Sequence, residues 1–302
     1  MQNAAVLSAL FILSCLFSAS AQEAPKPELP SIRVSDLFIY SGVGVNKETY
    51  ASLNEFRALA PDSKALEHFS PNIQPIEYVA LNNSSIFSVQ LGVEFLNKQK
   101  ASYRSNPLLR IGIQYAAGNH FGLDYSSRIS TPFDTLTSAQ TGNTVYVDSI
   151  KMQQFHMNYS SHQLRFDGAL LFRTNPEARW SLYAGIGIST GVSFDATTEI
   201  DYLTFSGETI RTDDNGYLSY GRGLEVDTRI HERFVNKANF SANPYVPMGV
   251  DFRLGKNKEF WKKLHLVYEL RPGINMVSVP ELRTFATASI QQGLALRVVF
   301  NP

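Results

Sequence analysis

The stretch Phe285–Phe300, FATASIQQGLALRVVF, alternates along its length. Ile290, Leu294, Leu296, Val298 and Phe300 fall on one face, and Thr287, Ser289, Gln291, Gly293, Ala295 and Arg297 on the other. Successive side chains of a strand point to opposite faces, so the stretch reads as a strand with one apolar and one polar side. By itself it fits a half-buried strand of a soluble sandwich equally well. It constrains the fold only if the pattern recurs.

It recurs seven more times. The other predicted strands are Arg33–Val45, Ser85–Phe95, Leu108–Gly118, Val145–Arg173, Trp180–Phe194, Val246–Leu254 and Leu264–Met276. In Ser85–Phe95 the residues Phe87, Val89, Leu91, Val93 and Phe95 oppose Ser88, Gln90, Gly92 and Glu94. In Leu264–Met276, Leu264, Leu266, Tyr268, Leu270 and Ile274 oppose His265, Glu269, Arg271, Gly273 and Asn275. Two stretches are less regular. Phe38 and Tyr40 make the second face of Arg33–Val45 apolar, and Phe155, Met157 and Tyr159 run in opposite phase to Leu164, Phe166, Leu170 and Phe172. The second irregularity predicts a bulge near Ser160-Ser161. Gln292 is a polar misfit in the middle of an apolar face and marks a further place to expect a bulge.

Three features favour a membrane barrel over a sandwich whose polar faces meet water. The polar faces carry arginine with almost no lysine, which suits enclosed pairing. Their charges are Glu94, Arg110, Arg165, Asp167, Asp251, Arg253, Glu269, Arg271 and Arg297, predicted to form an ion-pair network in the lumen. Glycines cluster on the same faces, at Gly92, Gly112, Gly185, Gly187, Gly249, Gly273 and Gly293, as a crowded interior requires. Connections alternate in length, short after Phe95, Arg173 and Leu254 and long after Val45, Gly118 and Phe194, the asymmetry of an outer-membrane barrel. Lipid admits only helices or closed barrels, and each strand meets the ~9–11 residues needed to cross. Trp180 and Trp261, each beside a short turn, suit an interfacial aromatic girdle.

The N-terminus points to export. Ala4–Phe17 is an apolar run followed by Ala19-Ser20-Ala21, the form of a signal peptide cleaved after residue 21. A lipoprotein signal at Leu13-Ser14-Cys15 is the weaker alternative. The only cysteine lies in this segment, so the mature chain would hold no disulfide. Residues 22–31, QEAPKPELPS, read as a linker and residues 32–302 as the barrel. A net charge of zero argues against nucleic acid as a partner.

In the first long connection, Ser52-x-x-Glu55 is a capping box ahead of Phe56, Leu59 and Ala60. It predicts a short helix, broken at Pro61 and resumed toward His68, as a lid or buttress at the barrel mouth. The longest connection, Ala196–Ala242, contains Asp213-Asp214-Asn215-Gly216 and is a candidate for a hairpin of its own.

These features resemble the small outer-membrane β-barrel proteins of diderm bacteria, the OmpX/OmpA-barrel type and the outer membrane protein beta-barrel domain family, over Arg33–Phe300. The resemblance implies an all-β, closed antiparallel up-and-down transmembrane barrel of about eight strands. It also implies outer-membrane lipid as a partner, and the barrel-assembly machinery as another, through the near-terminal aromatic Phe300. A lumen of that size is filled by side chains. The expectation is therefore a non-enzymatic outer-membrane protein with a structural, adhesion or binding role toward an extracellular ligand at its long loops. A small-solute channel or ligand-binding barrel is the alternative. A lipid-modifying enzyme is a third reading, raised by His156 and His162 near Ser160 and Ser161, but polar interfacial residues account for those without chemistry. No cofactor is implied, and His68, His120, His156, His162, His231 and His265 show no metal-ligand spacing.

Overall fold

The computed structural model describes residues 31–300, apart from 48, 71–72, 77–80, 105, 138, 141, 143, 177, 213–216, 219–223, 256 and 281. The predicted signal peptide, the linker before residue 31, and the turn at 213–216 lie outside the described residues.

The long strands are β1 Ile32–Lys47, β2 Leu81–Asn97, β3 Leu108–Thr137, β4 Thr144–Arg173 and β5 Trp180–Thr212. They are followed by β6 Glu225–Val235, β7 Phe240–Tyr245, β8 Met248–Arg253, β9 Leu264–Ser278 and β10 Thr284–Val299. All pairings among them are antiparallel. Around the ring the order is β1, β2, β3, β4, β5, then β7 and β8 sharing one position, then β9 and β10. β10 pairs back onto β1 from Asp36↔Val299 to Asn46↔Ser289, which closes an eight-position barrel. No open edge remains within the ring.

β7 and β8 are one strand interrupted at Val246-Pro247, because Pro247 has no N–H to give the ladder. Neighbours hold the gap: the Val246 N–H donates to Pro272 O at 2.9 Å, and the Gly185 N–H donates to Pro247 O at 2.9 Å. The sequence pattern begins this strand at Val246 and misses Phe240–Tyr245.

The predicted faces are largely realised. Outside lie Val43, Phe87, Ile113, Phe166, Ile188 and Leu294, all exposed, within a belt of apolar side chains that encircles the ring. Exposed apolar patches on soluble monomers rarely exceed a few hundred Å². The belt is suited to lipid, and the ring satisfies the backbone that lipid would leave unpaired. Gln292 is in place on this outer face without a bulge. β10 is in continuous register with both neighbours, and the Tyr268 hydroxyl donates to Gln292 Oε1 at 3.1 Å.

The expected bulge in β4 is absent. Every odd residue from Phe155 to Arg173 is buried and faces inward, in one unbroken phase. The irregularities sit on the neighbouring strands at the same height, at His120 in β3 and Phe194 in β5. What reverses at Ser160 is the surroundings. Toward the short turns, the outside is apolar and the inside polar. Beyond Ser160 the strands leave the belt, so the outside becomes polar and the inside becomes an apolar core. For the same reason β3, expected to end at Gly118 or to run on through Phe121, Leu123 and Tyr125, is longer still: β3 and β4 stay paired out to Thr137↔Thr144. β5 continues to Thr212 and pairs with β6, the hairpin expected within 196–242. At ~3.3 Å per residue, this four-stranded extension of β3, β4, β5 and β6 stands on the order of 50 Å along its longest strands.

Two glycines show why the polar faces need them. The Tyr245 ring lies 2.5 Å from where a Cβ on Gly187 would stand, and the Tyr183 hydroxyl lies 2.5 Å from that position on Gly249. Gly187→Val is expected to destabilise the barrel by about 1–3 kcal/mol through overpacking. A urea midpoint in lipid vesicles equal to wild type would show that Tyr245 is free to swing away.

Candidate functional site

The lumen is filled by charges that come together from opposite walls. Glu269 on β9 accepts from Arg110 at 2.8 Å, from Arg271 at 2.5 Å and from the Tyr183 hydroxyl. Asp167 on β4 accepts from Arg271 at 3.0 Å, from the Tyr245 hydroxyl at 2.5 Å and from the Gln90 amide. A second group is nearer the short turns. Arg297 on β10 lies 2.7 Å from Asp251 and 3.3 Å from Asp36, and Asp251 also meets His265 at 2.6 Å. Of the nine residues expected in a lumen network, Arg110, Asp167, Asp251, Glu269, Arg271 and Arg297 are in these two groups.

The other three are placed differently. Arg165 is buried and forms no ion pair among the described residues. Its guanidinium donates to Gln163 Oε1 at 2.8 Å and to Asn275 Oδ1 at 3.4 Å, so it does not pair with Asp167 two residues along its strand. Glu94 is at the lower rim, 2.9 Å from its cross-strand neighbour Arg33. Arg253 closes β8 beside His265, and its Nε finds no partner among the described residues.

Phe38 and Tyr40, the apolar residues on the inner face of β1, have a role beside these charges. The Arg110 guanidinium stands 3.6 Å from the centre of the Phe38 ring, and that of Arg271 stands 4.4 Å from Tyr40. An aromatic face attracts a desolvated cation. Asp36 shares this inner face, in continuous register with Phe38 and Tyr40; the bulge at Ser35 shifts only the residues before it. Tyr183 has no sequence signal beyond being an aromatic residue on a polar face, and Tyr245 precedes the predicted strand.

Above the lumen, residues 49–70 cross the mouth as a cap. Helix α1, Leu53–Leu59, has both bonds of its capping box: Ser52 N–H donates to Glu55 Oε2 at 2.6 Å, and Glu55 N–H donates to Ser52 Oγ at 3.3 Å. A 3₁₀ turn, Ala65–His68, follows. The apolar underside of the cap, Phe56, Ala60, Ala65 and Leu66, is buried with Phe155, Met157, Ile200 and Tyr202 of the extension and Phe285 of β10. Phe121 is at the centre, 4.2 Å from Phe285, 4.7 Å from Tyr159 and 5.9 Å from Phe56 between ring centres. This core explains why the extension is apolar inside.

The cap is also latched by polar bonds. Arg283 lies 3.0 Å from Glu55, and the Asn236 amide donates to Leu59 O at 2.9 Å. Glu232 of β6 accepts from the Ser63 hydroxyl at 2.5 Å, the Lys64 N–H at 3.1 Å and the Ala65 N–H at 3.2 Å. Partial burial would raise the pKa of Glu232, but these hydrogen bonds and the Lys64 charge outweigh it and hold the carboxyl below its usual value. A lowered folded-state pKa means that the latch contributes fully above the ordinary glutamate pKa of about 4.3 and is lost as pH falls through the lowered value. Limited proteolysis of residues 49–70 is expected to accelerate only in that acid window. In Glu232→Gln it is expected to be faster already at neutral pH, and equal rates at neutral pH would remove Glu232 from the latch.

The residues raised for a hydrolase do not form one. His156 meets Asp124 at 2.5 Å, and Ser160 shares a hydrogen bond with Thr197 at 3.1 Å, both on the outer face of β4. The serine and histidine that do meet are Ser161 and His120, 2.6 Å apart beneath the cap. His120 Nδ1 has no partner among the described residues, so no third group orients the ring as a nucleophile's base requires. No cluster of three His, Cys, Asp or Glu arranged for a metal ion occurs among the described residues.

Neither a protein-family model nor a curated protein sequence matches the chain. Among solved structures, Neisserial surface protein A (NspA) aligns over 87% of this chain and 97% of its own, at 9% identity and a TM-score of 0.27. Ail, the attachment invasion locus protein of Yersinia pestis, solved with the heparin analogue sucrose octasulfate, aligns over 88% of this chain and 99% of its own, at 8% identity and a TM-score of 0.19. With superpositions this loose, the fold assignment rests on the strand pairing itself: a closed, antiparallel, eight-position β-barrel.

Proposed function

We propose that this chain is an integral outer-membrane barrel that does not conduct solute, and that its extracellular extension and cap form a binding or adhesion surface. The observation that carries this is the cross-section at Arg110, Asp167, Glu269 and Arg271. Each of these is at most 1% exposed, so water does not reach the middle of the lumen. The cavity above that level, lined by Asn46, His120, Arg165, Asn243, Asn275 and Gln291, offers about 20 Å³ to the centres of water molecules. That is space for one or two water molecules, not a solute path. With the lumen closed, the surface left for a partner is the extension, whose outer face carries a cross-strand row of Asp124, His156, Asp201 and His231. The barrel-assembly machinery would insert the chain.

The test is reconstitution in planar bilayers after recovery from the outer-membrane fraction in heat-modifiable form. The expected result is an absence of steady conductance steps. Steady open steps would favour the channel reading instead.

A further inference from the structure

Among the described residues, the end of the barrel that carries the short turns holds an excess of basic side chains. Lys98, Lys100 and Arg104 lie in the first turn, Arg179 in the second, and Lys258 and Lys263 in the third. The described carboxylates near them are already engaged, Glu94 by Arg33 at 2.9 Å and Glu259 by Lys262 at 2.7 Å. The opposite end differs. There Arg229, His231 and Arg233 stand beside Asp195, Glu199 and Asp201.

Within this cationic end the second and third turns border a wide, shallow cleft. The Arg253 N–H donates to Arg179 O at 2.9 Å, which holds the second turn beside the end of β8, and the Gly255 N–H donates to Trp261 O at 3.0 Å, which closes the third turn on itself. The cleft is lined by Arg179, Leu254, Gly255, Asn257, Lys258 and Trp261. Neither Arg179 nor Lys258 is paired with a carboxylate among the described residues. Aromatic rings lie beside it: the Arg179 guanidinium stands 4.8 Å from the Phe252 ring centre, and Phe252 packs against Trp180 at 4.2 Å. Along the barrel wall from Phe252 run Trp180, Leu182 and Leu266, all exposed on the lipid-facing side.

From this we infer that the Arg179–Lys258 cleft is a binding site for one anionic glycerophospholipid of the periplasmic leaflet. Its phosphate lies between the guanidinium and the ammonium, and its acyl chains lie along Trp180, Leu182 and Leu266. A planar guanidinium and a lysine ammonium are matched to phosphate oxygens, and the indole rings suit the depth at which headgroup meets hydrocarbon. The inference rests on the outer-membrane reading above.

The experiment is native mass spectrometry of the full mature chain, folded in dodecyl maltoside and titrated separately with phosphatidylglycerol, phosphatidylethanolamine and inorganic phosphate. Wild type is expected to retain phosphatidylglycerol in preference to phosphatidylethanolamine. Arg179→Ala/Lys258→Ala is expected to bind phosphatidylglycerol about thirtyfold more weakly, as two basic groups at a membrane surface imply. The control, Lys98→Ala/Lys100→Ala, is expected to bind like wild type. Equal affinity in the cleft variant, no headgroup preference in wild type, an equal loss in the control, or displacement of the lipid by millimolar inorganic phosphate would each overturn the site. Heat-modifiable migration of every variant separates lost binding from lost folding. A mature chain that stays monomeric without detergent would overturn the membrane reading. A chain that needs detergent but shows no phosphatidylglycerol preference would overturn this inference alone.

Discussion

Glu269→Ala is expected to destabilise the barrel by about 3–5 kcal/mol, the cost of leaving buried charge unpaired. Glu269 is fully buried and receives Arg110 at 2.8 Å, Arg271 at 2.5 Å and the Tyr183 hydroxyl. Truncating it strands Arg110 without its carboxylate, leaves Arg271 only Asp167, and leaves the tyrosine without its acceptor. The partners cannot escape to water, because Arg110 and Arg271 are each 1% exposed. The expected readout is a lower urea midpoint for the heat-modifiable, folded band in lipid vesicles. Glu269→Leu combined with Arg110→Leu is expected to recover much of the loss, since replacing both members of a buried pair by apolar groups is often close to neutral. A loss under about 1 kcal/mol in Glu269→Ala, within the range for exposed ion pairs, would mean that water enters the lumen and that the channel reading deserves a second hearing.

The second large effect lies in the cap. Phe121→Ala removes the ring that meets Phe285, Tyr159 and Phe56 at once, and is expected to cost about 3–5 kcal/mol, as aromatic-to-alanine changes in packed cores do. The loss should be local. Phe121 stands beyond the ring, so the cap should open while the lumen network stays intact, and opening of one cooperative unit is read by hydrogen exchange. Amides of α1 and of Ala65–His68 are expected to lose protection while those of β9 and β10 keep theirs. Unchanged protection in α1 would show that the Glu232 and Arg283 latches hold the cap without its core. Uniform loss would show that cap and barrel unfold together.

Much of the architecture can be read from residue types. The apolar rows Phe87–Val89–Leu91 and Leu294–Leu296 face outward as alternation requires, the capping box of α1 forms with both bonds, and Arg297 meets carboxylates. The less legible parts have identifiable causes. A single bulge at Ser35 puts Ile32–Val34 out of phase with the rest of β1. Arg165 has the right face and charge to join the network, but Asp167 is taken by Arg271, Tyr245 and Gln90 from across the lumen, so Arg165 turns to Gln163 and Asn275. Ser161 and His120 are 41 residues apart and meet only because β3 and β4 pair at that height.

Between bulges the residue sequence by itself determined which side each side chain takes, because a strand has a period of two; at Ser35, His120 and Phe194 the phase shifts. It therefore determined the two faces, the approximate strand count and the outward position of Gln292. It could not determine what lies on each side. Phe155, Met157 and Tyr159 share a face with Arg165 and Asp167, yet the first three meet the cap and the last two meet the lumen. Only the tertiary structure decided that the reversal at Ser160 is a change of surroundings and not a bulge. It also decided the ion pairs, since Arg110 and Glu269 are 159 residues apart and meet only once β10 has closed on β1. Local pattern encodes facing, and closure of the ring sets which charges face each other.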